Sequence, residues 1–331
     1  MAAVILTAML MVGGASGAHS AEAKEMNRRL GRGINLGNAL DAPTEGAWGM
    51  RLEADYFRRI KEAGFQSVRL PVRWSAHAGE VAPYTVDETF FQRVDWALDQ
   101  AATQGLLVML NVHHYRELDA NPAAHRERFL ALWRQIAKRY AGRPETVLFE
   151  PLNEPHDQLS DDLWNALLLD VLQVIRESNP ERVVVFGPGS WNNFSHLPTL
   201  KLPAADRRIL VTFHYYNPFP FTHQGASWVG TNPPPLGRSW EGTAAELEAM
   251  ARDFEAAAAW ARREDRPLHV GEFGSYEKAE MTSRARWTRA VRDAAESRGM
   301  SWAYWEFGAG FGAYDRRAAA WREPLLHALV R

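Results

Sequence analysis

The feature that most narrows what this 331-residue chain can fold into is the regular return of a short, β-rich apolar run after each longer stretch of helical periodicity. The runs are Arg32 to Leu36, Ser67 to Pro71, Leu106 to Val112, Val147 to Leu152, Val183 to Phe186, Ile209 to Phe213, Leu268 to Val270, and Ser301 to Trp305. The stretches between them carry single apolar stripes. Phe129, Leu132, Trp133, Ile136 and Tyr140 form one, and Leu163, Leu167, Val171 and Ile175 form another, each facing a sheet. Gly64, Gly105 and Gly299 stand where a helix stops just before the next run, and Thr243 with Glu246 has the spacing of a capping box. Eight strand-then-helix units imply right-handed crossovers and a parallel sheet that can close, so the expected fold is an α/β (β/α)8 TIM barrel in a single domain. An open, doubly wound sheet is the alternative, but it seldom uses eight regular units.

No linker, charge block or low-complexity tract interrupts the chain after residue 25, so residues 24–331 are expected to form one catalytic barrel. Before them, MAAVILTAMLMV is an apolar run followed by small residues. Possible processing points are Ala18-His19-Ser20 and Ala21-Glu22-Ala23, which reads as a signal peptide over 1–23. The run is too short to cross a bilayer, which takes ~20 residues. The expectation is therefore a secreted monomer, extracellular or periplasmic, with no membrane attachment after signal removal. A formal charge of -2, from 38 basic and 40 acidic residues, provides neither a nucleic-acid footprint nor a polybasic membrane patch. Any polymer bound is uncharged. The absence of cysteine excludes disulfides, zinc-thiolate sites and thiol nucleophiles.

In such a barrel the chemistry sits at the C-terminal ends of the strands. Asn38, Arg69, His113, His114, Asn153, Glu154, His214, Tyr216, Glu272 and Trp305 all fall there, whereas the opposite ends lack this density of His, Glu and Trp. A lone Glu at a strand end is ordinarily a surface or ion-pair residue. Two of them, Glu154 and Glu272, on opposite sides of one mouth and each in a Gly/Pro-punctuated motif, instead match glycoside cleavage: an acid protonates the leaving oxygen and a carboxylate attacks the anomeric carbon. Asn153 is placed to bond a sugar 2-hydroxyl. Pro155 stiffens the exit from the strand, and Pro151, which lacks an N–H, predicts irregular pairing there. Of the 13 tryptophans, Trp133 and Trp164 lie on helical stripes and read as core. Trp48 and Trp228 lie in loops, where an apolar ring needs a reason, and Trp305 offers a flat face to a pyranose. The irregular, proline-rich stretch from Tyr215 to Gly242 reads as a cleft wall.

The segments GINLGNALDAP, VRLPVRW, NVHHY, LNEP, HYYNPF, GEFG and WAYWEF resemble glycoside hydrolase family 5 in content and order, from about residue 26 to the C-terminus. Through ALDAPTEGAWG and FTHQGASW the chain is most similar to bacterial endo-β-1,4-glucanases of that family that also accept mannan. The resemblance implies Glu154 as general acid/base and Glu272 as nucleophile, with Arg69 beside the nucleophile and His214 and Tyr216 touching the pair. It further implies sugar contacts from Asn38, His113, His114 and His223, with Trp305 as the floor at the cleavage point, and the loop position of Trp228 adds an expected substrate contact there.

The expected reaction is retaining, endo-acting hydrolysis of β-1,4-glucans such as cellulose derivatives and mixed-linkage glucan, and of mannans as well, by double displacement. It requires no cofactor and no metal, and carboxyl groups ~5 to 5.5 Å apart. Three rivals bear weighing. One is a main activity on mannan, another a non-catalytic carbohydrate-binding barrel, which would lack one carboxylate. A metal-dependent hydrolase built on His113, His114, His214 and His223 is opposed by the lack of ligand spacing and by neighbouring strand residues pointing to opposite faces.

Overall fold

The computed structural model describes residues 22–331, so the apolar run over 1–12 and the first processing point lie outside the described residues. The eight expected strands are all present: β1 Arg32–Asn35, β2 Ser67–Leu70, β3 Leu107–Asn111, β4 Val147–Glu150, β5 Val184–Phe186, β6 Ile209–His214, β7 Leu268–Glu272 and β8 Ser301–Tyr304. They pair in parallel, each with the next and β8 with β1, into a closed barrel. Closure excludes the open doubly wound sheet. Strand ends shift by one or two residues from the sequence expectation. At β4 the reason is Pro151, which has no N–H for the ladder, so pairing stops at Glu150.

A first helix α1 (residues 22–30) precedes β1 and includes Glu22 and Ala23 of the second processing point. The outer ring comprises α2 Ala54–Glu62, α3 Glu88–Thr103, α4 Pro122–Arg139, α5 Asp161–Ser178, α6 Ala244–Glu264, α7 Met281–Glu296 and α8 Glu323–Val330. Gly64, Gly105 and Gly299 adopt φ of +102°, +64° and +70°, the left-handed stop conformation. Thr243 and Glu246 complete the capping box at the start of α6.

Two expectations need correction. Leu163 is not on the buried stripe of α5; it is 50% exposed, while Trp164 and Leu168 face inward with Leu167, Val171 and Ile175. The fifth unit also has no long helix. Between β5 and β6, Gly187, Pro188, Gly189 and Pro198 allow only a short turn over 189–192 and a 3-10 helix, Phe194–Thr199.

The barrel interior is divided along its length. Its N-terminal half is mainly apolar: Leu107, Met109, Leu148, Val183, Val185 and Leu210 pack together under a plug formed by Met26 and Leu30 of α1, while His269, Ser301, Asn27 and Ser67 form a small buried hydrogen-bonded set beside them. Each such side chain fully buried contributes about 1.5–3 kcal/mol. Its C-terminal half is polar, with Asn35, Arg69, Asn111, Glu150, His214 and Glu272 all buried. Four buried tryptophans brace this end from outside the barrel. Their indole N–H groups donate to the carbonyls of Asn111, Pro151, Gly187 and Asn217 from Trp74, Trp133, Trp164 and Trp287. Those carbonyls lie where the chain has left or is leaving the strand ladder and would otherwise go unsatisfied. Trp133 and Trp164 are thus core residues, as their stripes predict, and they also support the loops that carry the polar end.

Candidate active site

Arg69 organises the polar end. It is buried on β2, and its guanidinium makes five hydrogen bonds: Nε and Nη2 to the two carboxylate oxygens of Glu150 (2.6 and 2.7 Å), Nη1 to Glu272 (2.7 Å) and Asn35 (2.9 Å), and Nη2 to Asn153 (2.7 Å). A guanidinium has five N–H donors, so this set can employ all of them. Because Arg69 holds the oxygen of Asn153, the Asn153 amide nitrogen remains as the donor.

Glu154 and Glu272 leave β4 and β7 and converge. An oxygen of each carboxylate and a ring nitrogen of His214 lie within 4.8 Å of one another. The two carboxyls have different surroundings. Glu272 accepts from Arg69 and from the Tyr216 hydroxyl (2.9 Å). Among the described residues, the Glu154 carboxyl meets only His214 Nδ1, at 2.6 Å. Burial pushes Glu154 up to about 7, against the opposing pull of Arg69 and His156. Burial also raises Glu272, but His214, Arg69 and the Tyr216 hydrogen bond oppose the rise. His214 is lowered to about 4, first by burial, and so is neutral near pH 7. One guanidinium thus faces two buried carboxyls, Glu150 and Glu272, and the half-buried Glu154. The proton this imbalance demands settles on Glu154, the carboxyl without a cationic contact.

The other residues expected from the sequence line the same mouth. Trp305 is half-buried and stacks parallel to His113, with ring centroids 5.7 Å apart. No side chain fits at Gly37, where a Cβ would come within 2.6 Å of the Trp305 ring. Asn38 is half-buried at φ +64°, and its N–H donates to Asp41. His113 and His114 do not point to opposite faces. β3 has ended at Asn111, and a φ of +52° at His114 turns both rings toward Asp41, whose carboxylate reaches within 4.8 Å of a nitrogen of each. Burial raises Asp41 to about 7 and lowers His114 to about 3, so this trio carries little charge and presents neutral polar groups.

His223 is buried, stacked on Phe219 at 4.2 Å and edge-on to Tyr216 at 4.9 Å. Trp228 does not reach the carboxyl pair. It is 58% exposed and stands edge-on to Tyr276, forming the rim of the cleft with Phe311. Trp48 packs edge-on against His114. The wall from Tyr215 to Gly242 is more ordered than its composition predicts. Buried Gln224 ties it together through Phe221, Gly237 and Arg238, across two short helical turns, Phe219–Thr222 and Ser227–Val229.

Sequence reasoning missed Asn35, Asp41, Glu150, His156 and Glu306. Glu150 carried a signal, a carboxylate inside an otherwise apolar strand. Glu306 offered less: its buried carboxyl accepts from the N–H groups of Gly308, Ala309 and Phe311 and so holds the loop bearing Phe311.

Residues 31–310 match the model of the cellulase family, glycosyl hydrolase family 5. Endoglucanase H of Acetivibrio thermocellus is 37% identical over 295 residues, covering 89% of this chain and 31% of that protein. The chain thus spans about a third of that relative, and 41% of the Cellulase/esterase CelE of the same organism. Among solved structures, Cel5A of Thermotoga maritima in complex with cellobiose superimposes with a TM-score of 0.91 at 47% identity, covering 93% of this chain and 100% of that one. The same protein has been solved in complex with mannotriose, at a TM-score of 0.91 and 46% identity, covering 93% of this chain and 100% of that one.

Proposed function

The chain belongs to glycosyl hydrolase family 5, and from that premise we infer that it hydrolyses internal β-1,4 bonds of glucans with retention of anomeric configuration. The observation that carries this reading is the approach of oxygens of the Glu154 and Glu272 carboxylates to within 4.8 Å, with Glu272 bonded to Arg69 and Tyr216 and Glu154 to neither. Inverting enzymes need ~6.5 to 9.5 Å between carboxyls to admit a water, and retaining ones ~5 to 5.5 Å.

Glu272, ionised against Arg69, attacks the anomeric carbon. The electron pair of the scissile bond passes to the leaving oxygen, which takes the proton of Glu154. Asn153 and Tyr216 are placed to bond the sugar 2-hydroxyl and the nucleophile as the ring gains positive charge. A water then enters and gives its proton to Glu154, and its oxygen displaces Glu272 from the sugar. The second inversion restores the starting configuration. His214 stays neutral and steers Glu154, and Trp305 with His113 offers a stacked floor to the sugar.

Asn38, His114, His223 and Trp228 extend the sugar contacts along the cleft. The N-terminal apolar run supports export, and no helix among the described residues is long and apolar enough to cross a membrane. The endoglucanase names of the relatives favour glucan over mannan as the main substrate, and the mannotriose complex of the Thermotoga protein supports mannan as a side substrate. The deciding experiment assays reducing sugar released from carboxymethyl-cellulose, barley glucan and galactomannan, with proton NMR of the first product. Turnover with the β-anomer appearing first is expected. The α-anomer would overturn retention, and sugar binding without turnover in the wild type would favour a non-catalytic barrel.

A further inference from the structure

Glu154 stands on a strained turn. Glu154 and Asp157 are non-glycine residues with φ of +47° and +54°, a region that side chains occupy only where the surroundings over-determine it. Here they do. The His156 Nδ1 lies 2.6 Å from the Glu154 carbonyl, and because a carbonyl only accepts, Nδ1 carries the proton of that bond. The His156 N–H donates to a carboxyl oxygen of Asp119 (3.4 Å), and the Gln158 N–H to the Asp119 carbonyl (3.0 Å). From the other side, the Pro155 carbonyl accepts from the Trp191 N–H (3.2 Å), within a second left-handed run, Ser190 to Asn192, with φ of +54°, +59° and +54°.

Asp119 thus gives the turn two acceptors, one from its side chain and one from its main chain. It lies on the short helix Arg116–Ala120 after β3 and is only 3% exposed. Among the described residues no arginine or lysine bonds its carboxyl. The titratable groups facing it are His156, Asp157 and Glu154 of the turn and Glu117 of its own helix, with His156 Nδ1 at 3.8 Å. Burial raises Asp119 to about 8, so it is neutral near pH 7 and stays buried at far smaller cost than a carboxylate would. The only hydrogen bond of this buried acid's side chain goes to the turn that carries Glu154. The Glu154 carboxyl in turn has a single bond of its own, to His214, so its aim is set by its backbone.

We propose that Asp119 and His156 are positioning residues, which together hold the left-handed turn that aims the Glu154 carboxyl at the leaving oxygen. This deepens the double-displacement reading of Glu154 and rests on it. Neither residue touches the reacting atoms. A misaimed acid fails where the leaving group needs a proton, so the pair should matter when a sugar leaves and not when the leaving group departs as a stable anion.

The test compares wild type, Asp119→Ala, Asp119→Asn and His156→Ala on cellohexaose and on 2,4-dinitrophenyl cellobioside, through kcat/KM, which reports the steps up to departure of the leaving group. Asp119→Ala and His156→Ala should lose about tenfold on cellohexaose, mostly through kcat, and stay within about twofold on the dinitrophenyl substrate. Asp119→Asn keeps an oxygen for the His156 N–H and should stay within about threefold on both. Partial unfolding would lower both substrates equally, so it does not imitate this pattern, and His156, with 22% of its side chain exposed, serves if Asp119→Ala does not fold. Carbon-13 NMR titration of the Glu154 carboxyl, assigned through Glu154→Gln, reads the same device without turnover. That carboxyl faces Arg69, His156, Glu150, His214 and Glu272, all of which the Asp119 variants retain. Its midpoint should fall from about 7 toward 4.5 in Asp119→Ala, as the loosened turn lets water reach it, and hold in Asp119→Asn. Equal changes on both substrates, or an unmoved midpoint in Asp119→Ala, would overturn the proposal. If the wild type cleaves neither substrate, the hydrolase reading falls, and the midpoint alone decides whether Asp119 places the Glu154 carboxyl.

Discussion

The two halves of the barrel interior are built from the same strands and stabilised by opposite means. In the N-terminal half, Leu107, Met109, Leu148, Val183, Val185 and Leu210 close on Met26 and Leu30. In the C-terminal half, Arg69 shares its hydrogen bonds among Glu150, Glu272, Asn35 and Asn153. The first half gains free energy by removing apolar surface from water. The second is costly, because each charge there is desolvated and must be repaid by its partners. What the difference teaches is that the working end of the fold is held in place by the inert end and by the tryptophan braces, while its own charges are arranged for chemistry.

The sharpest way to break this contrast is Arg69→Leu, which leaves Glu150 and Glu272 buried without their cation. Stability should fall by about 3–5 kcal/mol in urea denaturation, and activity should be lost in whatever folds. A loss under 1 kcal/mol would mean that the polar half is not charge-paired as described. In the apolar half, Leu30→Ala should cost about 2–4 kcal/mol and leave kcat per folded molecule unchanged, since it opens a cavity far from the mouth. A fall in kcat with no change in stability would refute the separation of the two halves.

Glu154→Gln tests the cost of the carboxyl proposed as proton donor. A carboxyl raised from its ordinary value of 4.5 to about 7 favours the folded state fully below pH about 4.5, and that contribution is lost as pH climbs to about 7. The stability of Glu154→Gln relative to wild type should therefore rise between pH 4.5 and about 7 and level off above, reaching about 2 kcal/mol once its 24% side-chain exposure is allowed for. Its activity should fall about 10²- to 10⁴-fold. In the wild type the alkaline limb of kcat/KM should lie near pH 7, where Glu154 gives up its proton. The smallest effect is expected from Asn192→Gly, which keeps the left-handed backbone and removes the amide facing His214 Nε2. It should lower kcat a few-fold and shift the alkaline limb, with stability changed by less than about 1 kcal/mol. An unchanged pH profile would show that Asn192 only packs.

Residue patterns made much of this visible beforehand. The eight strands, the helix-stopping glycines and the capping box are local, and their signals survive packing because each is dictated by backbone sterics or by a period of burial. Glu154, Glu272, Arg69, His214 and Tyr216 could be found because a parallel barrel sends every strand's C-terminal end to one rim. Leu163 misled because a stripe defined by four residues fits two adjacent faces of a helix, and only contact with the barrel chooses between them. His113 and His114 misled because strand alternation was carried beyond Asn111, where β3 ends, up to His114, where the backbone turns left-handed.

The sequence alone determined the class of fold and the rim on which the two carboxyls proposed to act would gather, since these follow from periodicity and chain direction. The tertiary structure decided which carboxyl keeps the proton, how Glu150 and Asn35 complete the shell of Arg69, and how Asp119 and His156 bond the turn that carries Glu154. Those outcomes depend on desolvation and on distances of a few ångströms between residues far apart in the chain, and no local pattern of side chains encodes them.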